Sequence, residues 1–346
     1  MSNFKDNDPT AEGRKSDHIN LAIKSQLDSA SIDKRFYYEP ILSGHPNENN
    51  LPIVSIGGKK MHTPIWVSSM TGGTVLAATI NKNLARACGE FKMGMGLGSC
   101  RSLLTDDTHL KDFQVREFIG DQPLYANLGI AQIEKLIAEN KLHLIASMIQ
   151  KLEADGLIIH VNPLQEWLQP EGDRYHEAPI TLIRRLMDEV KYNVIVKEVG
   201  HGMGIESLRA LMSLPLTAID FAANGGTNFS KIELARRTDD SVKSVFDDLT
   251  YIGHSAEEMV DFVDDILLTD LDVQCKTFII SGGVKNFLDG YYLINKISCP
   301  AVYGQAVSLL KYAMADYDIL QHHVSMQLEG LKLSFALLKV KNGPYL

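Results

Sequence analysis

Eight short apolar runs punctuate the chain, each closing on a glycine or a polar turn and giving way to a stretch of different period. They read PIWVSSMTGG from residue 64, MGMGLGSCR from 93, PLYANLG from 123 and GLIIHVNP from 156, then VIVKEVGHG from 194, AIDFAANGG from 218, TFIISGG from 277 and AVYGQA from 301. Between them lie segments of helical period, such as AQIEKLIAENKLHLIASMIQKLEA and FLDGYYLINKI. Runs that are apolar on both faces and alternate with helices predict a parallel sheet covered on both sides. Eight such units predict an α/β fold, a (β/α)8 TIM barrel in a single domain over 1–346, with a doubly wound open sheet as the alternative. The interval between AIDFAANGG and TFIISGG is about twice the others, which predicts an insertion at 226–254 after strand six. Residues 1–55 form an amino-terminal extension in this reading, and 312–346 an additional helical segment.

Composition narrows the function. Of 346 residues, 45% are hydrophobic and 22% charged, the balance of a globular protein. The net charge of -9 argues against a sequence-independent grip on nucleic acid, which needs a basic surface. It leaves room for an anionic small molecule, because a local pocket can oppose the global sign. Cys88, Cys100, Cys275 and Cys299 make no CxxC pair, which fits neither a zinc site nor a disulfide scaffold and suits a reducing cytoplasm. The stretch MSNFKDNDPTAEGRKSDH is too polar for a signal peptide, and no apolar run approaches membrane-spanning length. A cytoplasmic location, no membrane or nucleic-acid partner, and a homo-oligomer (tetramer or octamer) are expected.

In a barrel, chemistry gathers where strands end and βα loops begin. The strand ends here carry Ser68, Ser69 and Thr71, then Ser99 and Arg101, Asn127, His160 with Asn162, Gln165 and Glu166, Lys197 and Glu198, Asn224 and Thr227, Ser281, and Gln305. Any one of them fits an ordinary turn; barrel closure would bring all of them to one rim. NGGTNFS and SGGVKN place glycine pairs after strands six and seven, where backbone N–H groups can approach a phosphate. Lys197 stands inside the apolar VIVKEV, and a charge at such a position needs an anion or a polar ring. Arg14, Lys15 and His18 in GRKSDHIN, with Arg101, are candidate diphosphate donors.

The motifs GRKSDH, SSMTGGT, MGLGSCR, ANLG, HVNPLQEWLQPEGDR, VIVKEVGHGM, NGGTNFSKIE and SGGVKN occur in the order seen in type 2 isopentenyl diphosphate isomerases, and the chain resembles that family over roughly residues 13 to 310. The resemblance implies an FMN barrel, with the flavin used in reduced form, NADPH or NADH as reductant, and Mg2+. It also implies interconversion of isopentenyl and dimethylallyl diphosphate. It assigns Ser69, Met70, Thr71, Ser99, Asn127, Lys197 and Thr227 to the flavin. Gly282, Gly283 and the Gly304–Gln305–Ala306 loop fall to its phosphate, and Arg14, Lys15, His18, Arg101 and Asn162 to the substrate. His160 and Gln165 are the catalytic pair in this reading and Glu166 the metal ligand. Two positions depart from the family pattern: Gln305 and Ala306 stand where a small residue, arginine and proline usually follow the glycine, and Phe229 replaces a tryptophan of some members. Two rival readings stay open on the residues alone. One is an FMN oxidoreductase of the hydroxy-acid type with His201 or His254 as base; the other is a non-catalytic flavin- or phosphate-binding protein.

Overall fold

The computed structural model describes residues 11–46, 51–69, 75–341 and 343. Eight parallel strands close into a barrel, which excludes the open sheet. They are β1 (Ile65–Val67), β2 (Gly94–Gly96), β3 (Leu124–Gly129), β4 (Gly156–His160), β5 (Asn193–Lys197), β6 (Ala218–Asp220), β7 (Phe278–Ser281) and β8 (Ala301–Gln305). Each pairs with the next, and β8 returns to β1 through Tyr303↔Ile65, Gly304↔Trp66 and Gln305↔Val67. All eight apolar runs contribute one strand each.

Strand side chains alternate between the barrel interior and the helical shell. Outward residues such as Leu157, Ile159, Val194, Val196 and Ile219 join the large core under the helices. Inward residues Trp66, Tyr125, Ile158, Ile195, Ala218, Ile279 and Val302 form a separate cluster with Val54, Ile56 and Met61. Those last three belong to a hairpin, Val54–Ile56 against Lys59–Met61, that plugs the barrel. Its turn is Gly57–Gly58, both at positive φ as a two-residue hairpin turn requires. A Cβ on Gly57 would lie 2.1 Å from Tyr125 Oη, so the plug seats on the interior directly. Asp155, just before β4, holds this end together. It accepts from Lys59 Nζ at 2.8 Å, Arg116 Nη2 at 2.9 Å and the Leu124 N–H at 2.8 Å.

The helical readings need two adjustments. The long stretch from Ala131 to Ala154 forms two helices, Ile130–Ala138 and His143–Lys151. Asn140 adopts φ 53° between them, and Lys141 N–H donates back to Leu136 O at 2.8 Å, which terminates the first helix with an asparagine in the left-handed position. The carboxy-terminal helix Tyr317–Leu337 gives way to a strand, Leu338–Val340, that pairs antiparallel with Phe36–Tyr38. Between β6 and the helix Ala256–Thr269 the chain forms the helical segments Phe229–Arg236, Asp240–Phe246 and Asp247–Tyr251. Among the described residues, no helix is long and apolar enough to cross a membrane.

Candidate active site

One layer above the apolar plug, the same inward face of the barrel changes character. Two residues beyond Trp66, Tyr125, Ile158, Ile195, Ala218, Ile279 and Val302 stand Ser68, Asn127, His160, Lys197, Asp220, Ser281 and Gly304. Period-two alternation makes these the next inward ring, and every member is polar or glycine. Strand pairing sets His160 beside Lys197 and Lys197 beside Asp220.

A cavity of about 590 Å3 opens over this ring, well within the size range of small-molecule sites. Ser68, Ser69, Lys197, Thr227, Ser281, Gly282, Gly283, Gly304 and Ala306 line it, with apolar walls from Val199, Phe229, Ile232, Val284, Val307 and Leu310. Lys197 is 8% exposed, and its Nζ donates to Glu198 O at 2.8 Å. The hydroxyls of Ser68 and Ser69 have no hydrogen-bond partner among the described residues. Buried polar groups left open at a cavity wall suit a ligand that completes them.

The glycine pairs meet backbone to backbone. Gly225, Gly282 and Gly283 have φ of 106°, 90° and 74°, and a Cβ on Gly226 would lie 3.2 Å from Gly283 N. On Gly282 it would lie 2.0 Å from Ala223 O. The two loops therefore present bare peptide to the cavity, a surface suited to phosphate oxygens. Lys285, in the quoted SGGVKN but given no role from sequence, also lines the cavity and brings a second cation to it besides Lys197.

His160 Nδ1 lies 2.6 Å from Asn127 Oδ1, an atom that only accepts, so Nδ1 carries the proton and Nε2 is left basic. Burial, and secondarily the Lys197 charge, lower the His160 pKa to about 4. The imidazole is thus neutral near pH 7. Beyond it the chain forms a short helix, Pro163–Leu168, started by proline at its first position. Asn162 Nδ2 donates to Gln165 Oε1 and Glu166 Oε1, each at 3.1 Å, while its own Oδ1 has no partner among the described residues. Glu166 Oε2 accepts the Asp173 N–H at 2.7 Å. A Cβ on Gly172 would lie 2.0 Å from Glu166 O, and Arg174 donates to that same oxygen, so PEGDR folds back to clamp the helix. Gln165 Nε2 reaches Glu233 Oε1 at 3.4 Å on the helix Phe229–Arg236, whose Phe229 and Ile232 face the cavity. Glu233, 5% exposed, joins this network although sequence reasoning gives it no role; its four-residue spacing from Phe229 is the available signal.

Asn127, His160, Asn162, Gln165 and Glu166 belong to this ring or adjoin it but are not among the residues that line the cavity, and the remaining candidates are placed elsewhere. Arg101 Nη1 binds Asp173 Oδ2 at 2.6 Å, outside the cavity lining. Arg14, Lys15 and His18 lie on the exposed helix Ala11–Ala22 and are not among the lining residues, and Ser99 is exposed. Gln305 is buried, with Nε2 lacking a partner among the described residues, but does not line the cavity. Met70 and Thr71 lie outside the described residues. Among the described residues, no group of three or more His, Cys, Asp or Glu could hold a metal ion, so Glu166 belongs to no such cluster. His201 is unsuited as a free base: Nε2 meets Ser230 Oγ at 2.8 Å and Nδ1 meets Ile252 O at 2.6 Å. Its imidazole fastens the insertion to the loop after β5.

No family model matches the chain. Among curated proteins it is 31% identical over 337 residues to an isopentenyl-diphosphate delta-isomerase of Rickettsia felis, covering 96% of this chain and 94% of the relative. It is 32% identical over 330 residues to that of Rickettsia africae, covering 93% and 92%. Among solved structures, the flavin-binding domain of baker's yeast flavocytochrome b2 superposes with a TM-score of 0.60 at 12% identity, over 88% of this chain and 72% of that one. A mandelate oxidase variant with a monooxide FMN adduct gives 0.55 at 12%, over 89% of each chain. At that identity the two structures share the fold.

Proposed function

The chain belongs to the isopentenyl-diphosphate delta-isomerase family, and from that premise we propose that it moves the double bond between isopentenyl and dimethylallyl diphosphate over an FMN held in the 590 Å3 cavity. The observation carrying the flavin assignment is the union in one cavity of Lys197, unpartnered serine hydroxyls and the bare peptides of Gly282 and Gly283. Those groups suit a planar, polar-edged ring and a phosphate. Reduced flavin would supply an electron-rich ring to stabilise positive charge developing on the substrate, and a nitrogen able to exchange a proton.

The chain's own groups have separable tasks. Lys197 would neutralise negative charge on the bound ring, and Ser69, Asn127 and Thr227 would meet its polar edges. Gly282, Gly283 and Lys285 would hold the phosphate. The walls formed by Phe229, Ile232 and Val284 keep water from a cation-like carbon. Neutral His160, fixed by Asn127, presents Nε2 as an acceptor. An amide such as Gln165 is too weak an acid to protonate an alkene, so its bonds to Asn162 and Glu233 assign it to orientation or relay. The Glu233 carboxylate that accepts from Gln165 is itself paired with Arg236, which fixes both from the neighbouring helix.

Glu166 is the ligand we assign to magnesium. That ion is usually held by one or two carboxylates plus substrate phosphate and water, so a single carboxylate suffices once a diphosphate is present. The exposed Arg101 and the cluster Arg14, Lys15 and His18 would meet the diphosphate from outside the barrel. The deciding experiment incubates the protein anaerobically with isopentenyl diphosphate, FMN, magnesium and a substoichiometric amount of NADPH, and reads product by NMR. Dimethylallyl diphosphate in excess of the NADPH supplied is expected. FMN-loaded protein that forms none, or that consumes NADPH steadily, would overturn the proposal.

A further inference from the structure

The carboxyl group of Asp220 has no part in the reading above, yet it lies at the centre of the barrel. It stands opposite Lys197 on the adjoining strand, has no exposed surface and does not line the cavity. Ser281 Oγ donates to its Oδ1 and itself accepts the Ala222 N–H at 2.9 Å. Its Oδ2 has no hydrogen-bond partner among the described residues. A buried polar atom left unpaired is costly, and more so when charged, so a carboxylate here must be held by something nearby. Burial raises the Asp220 pKa above the usual carboxylate value, and Lys197, the Ser281 hydroxyl and the Ala222 N–H, which favour the ionised form, offset that rise only in part. Lys197 and Ser281, its two neighbours, both face the cavity. A charge on Asp220 is therefore felt by a ligand through the groups it adjoins, across a short path of low dielectric.

We propose that Asp220 is a positioning residue that offsets the Lys197 charge, so that the pair, and not the lysine alone, sets the electrostatic potential offered to a flavin in the cavity. This rests on reading the cavity as a flavin site. Reduction of FMN to its anionic reduced form takes up two electrons and one proton and leaves a negative charge on the ring. Removing the Asp220 charge lessens the negative charge facing Lys197, leaving Glu198 as the other carboxyl that interacts with it, and so favours that anion over the oxidised ring.

Asp220→Asn preserves the shape and the acceptor for Ser281 while deleting the charge. The FMN-loaded variant and the wild type are titrated anaerobically against a reference dye, using dithionite as electron donor. The variant should favour reduced over oxidised FMN about tenfold more than the wild type, a rise of about 30 mV in a two-electron midpoint potential. An unchanged or lowered potential in the flavin-loaded variant overturns the inference, whatever happens to activity. Should Asp220→Asn fail to fold, Ser281→Ala removes the hydrogen bond that favours the ionised carboxyl. A rise in potential is again expected, and no rise is refuting. Wild-type protein that takes up no FMN at all sinks this inference together with the flavin reading, whereas flavin-loaded wild type with an unshifted variant sinks this one alone.

Discussion

Gly282→Ala puts the backbone argument for the phosphate loop to a quantitative test. Gly282 has φ of 90°, and a Cβ there would lie 2.0 Å from Ala223 O and 2.3 Å from Ala223 N. Both neighbours are main chain in the loop just past β6, so no side-chain rotation relieves the clash. The left-handed backbone costs an L-residue about 1–2 kcal/mol, and overpacking against fixed structure adds about 1–3 kcal/mol. Gly58→Ala supplies the control: its φ is 83°, but a Cβ meets nothing within 4 Å, so only the first cost of about 1–2 kcal/mol applies. For a chain of this length each kcal/mol lowers the melting temperature by roughly 1–2 °C. The assay is thermal denaturation of both variants and the wild type, with and without FMN. At 100-fold excess over Kd, FMN should stabilise the wild type by about 2.7 kcal/mol, and a displaced Gly282 loop should lose at least about half of that, a tenfold loss of affinity. Equal melting of the two variants with equal FMN shifts would refute the reasoning, because the loop would then be soft enough to accept a side chain.

The remaining predictions concern charge. His160 has its pKa lowered to about 4 in the folded protein against about 6.5 unfolded; the unfolded chain therefore binds the extra proton between those values, and stability should fall as pH drops from 6.5 to 4, by at most about 3 kcal/mol. His160→Gln should flatten that part of a urea-denaturation pH series, and an unaltered profile would dismiss the neutral-imidazole assignment. Asp155→Ala strands Lys59 and Arg116 and frees the Leu124 N–H, which should cost about 2–3 kcal/mol by chemical denaturation; a loss under 0.5 kcal/mol, about the level of an ordinary surface substitution, would mean the plug is held by its apolar contacts alone. Glu166→Gln keeps the side-chain shape and one of the two acceptor contacts, to Asn162 or to Asp173, and should retain FMN while abolishing magnesium-dependent turnover. Full activity at ordinary magnesium concentration would remove Glu166 from the metal site.

Much of the fold was legible because barrel strands are buried on both faces and so appear as bare apolar runs. The same simplicity hid one member of the inner polar ring. Asp220 lies inside AIDFAANGG, where nothing local separates an inward acid from a turn residue, and only its register with Lys197 gives it meaning. The break at Asn140 was equally silent, since helical period continues through it. The pairing of Phe36–Tyr38 with Leu338–Val340 joins three-residue segments about 300 positions apart, too short to carry a pattern and too distant to carry a turn signal. Lys285 was visible as a letter, but its place beside the glycine loops in the cavity wall appears only in the folded chain.

The order of residues alone determined the eight strands, the barrel, the family motifs and the identity of nearly every group around the site, because hydrophobic period and glycine placement are local properties. Which of those groups share a cavity was decided by closure of the sheet. Strand register brought His160, Lys197 and Asp220 side by side, and the meeting of two glycine loops made a bare peptide surface. Arg101 and the helix Ala11–Ala22 were left outside the lining. Proximity between residues tens to hundreds of positions apart is a property of the packed chain, and the energies of charge, burial and hydrogen bonding depend on that proximity.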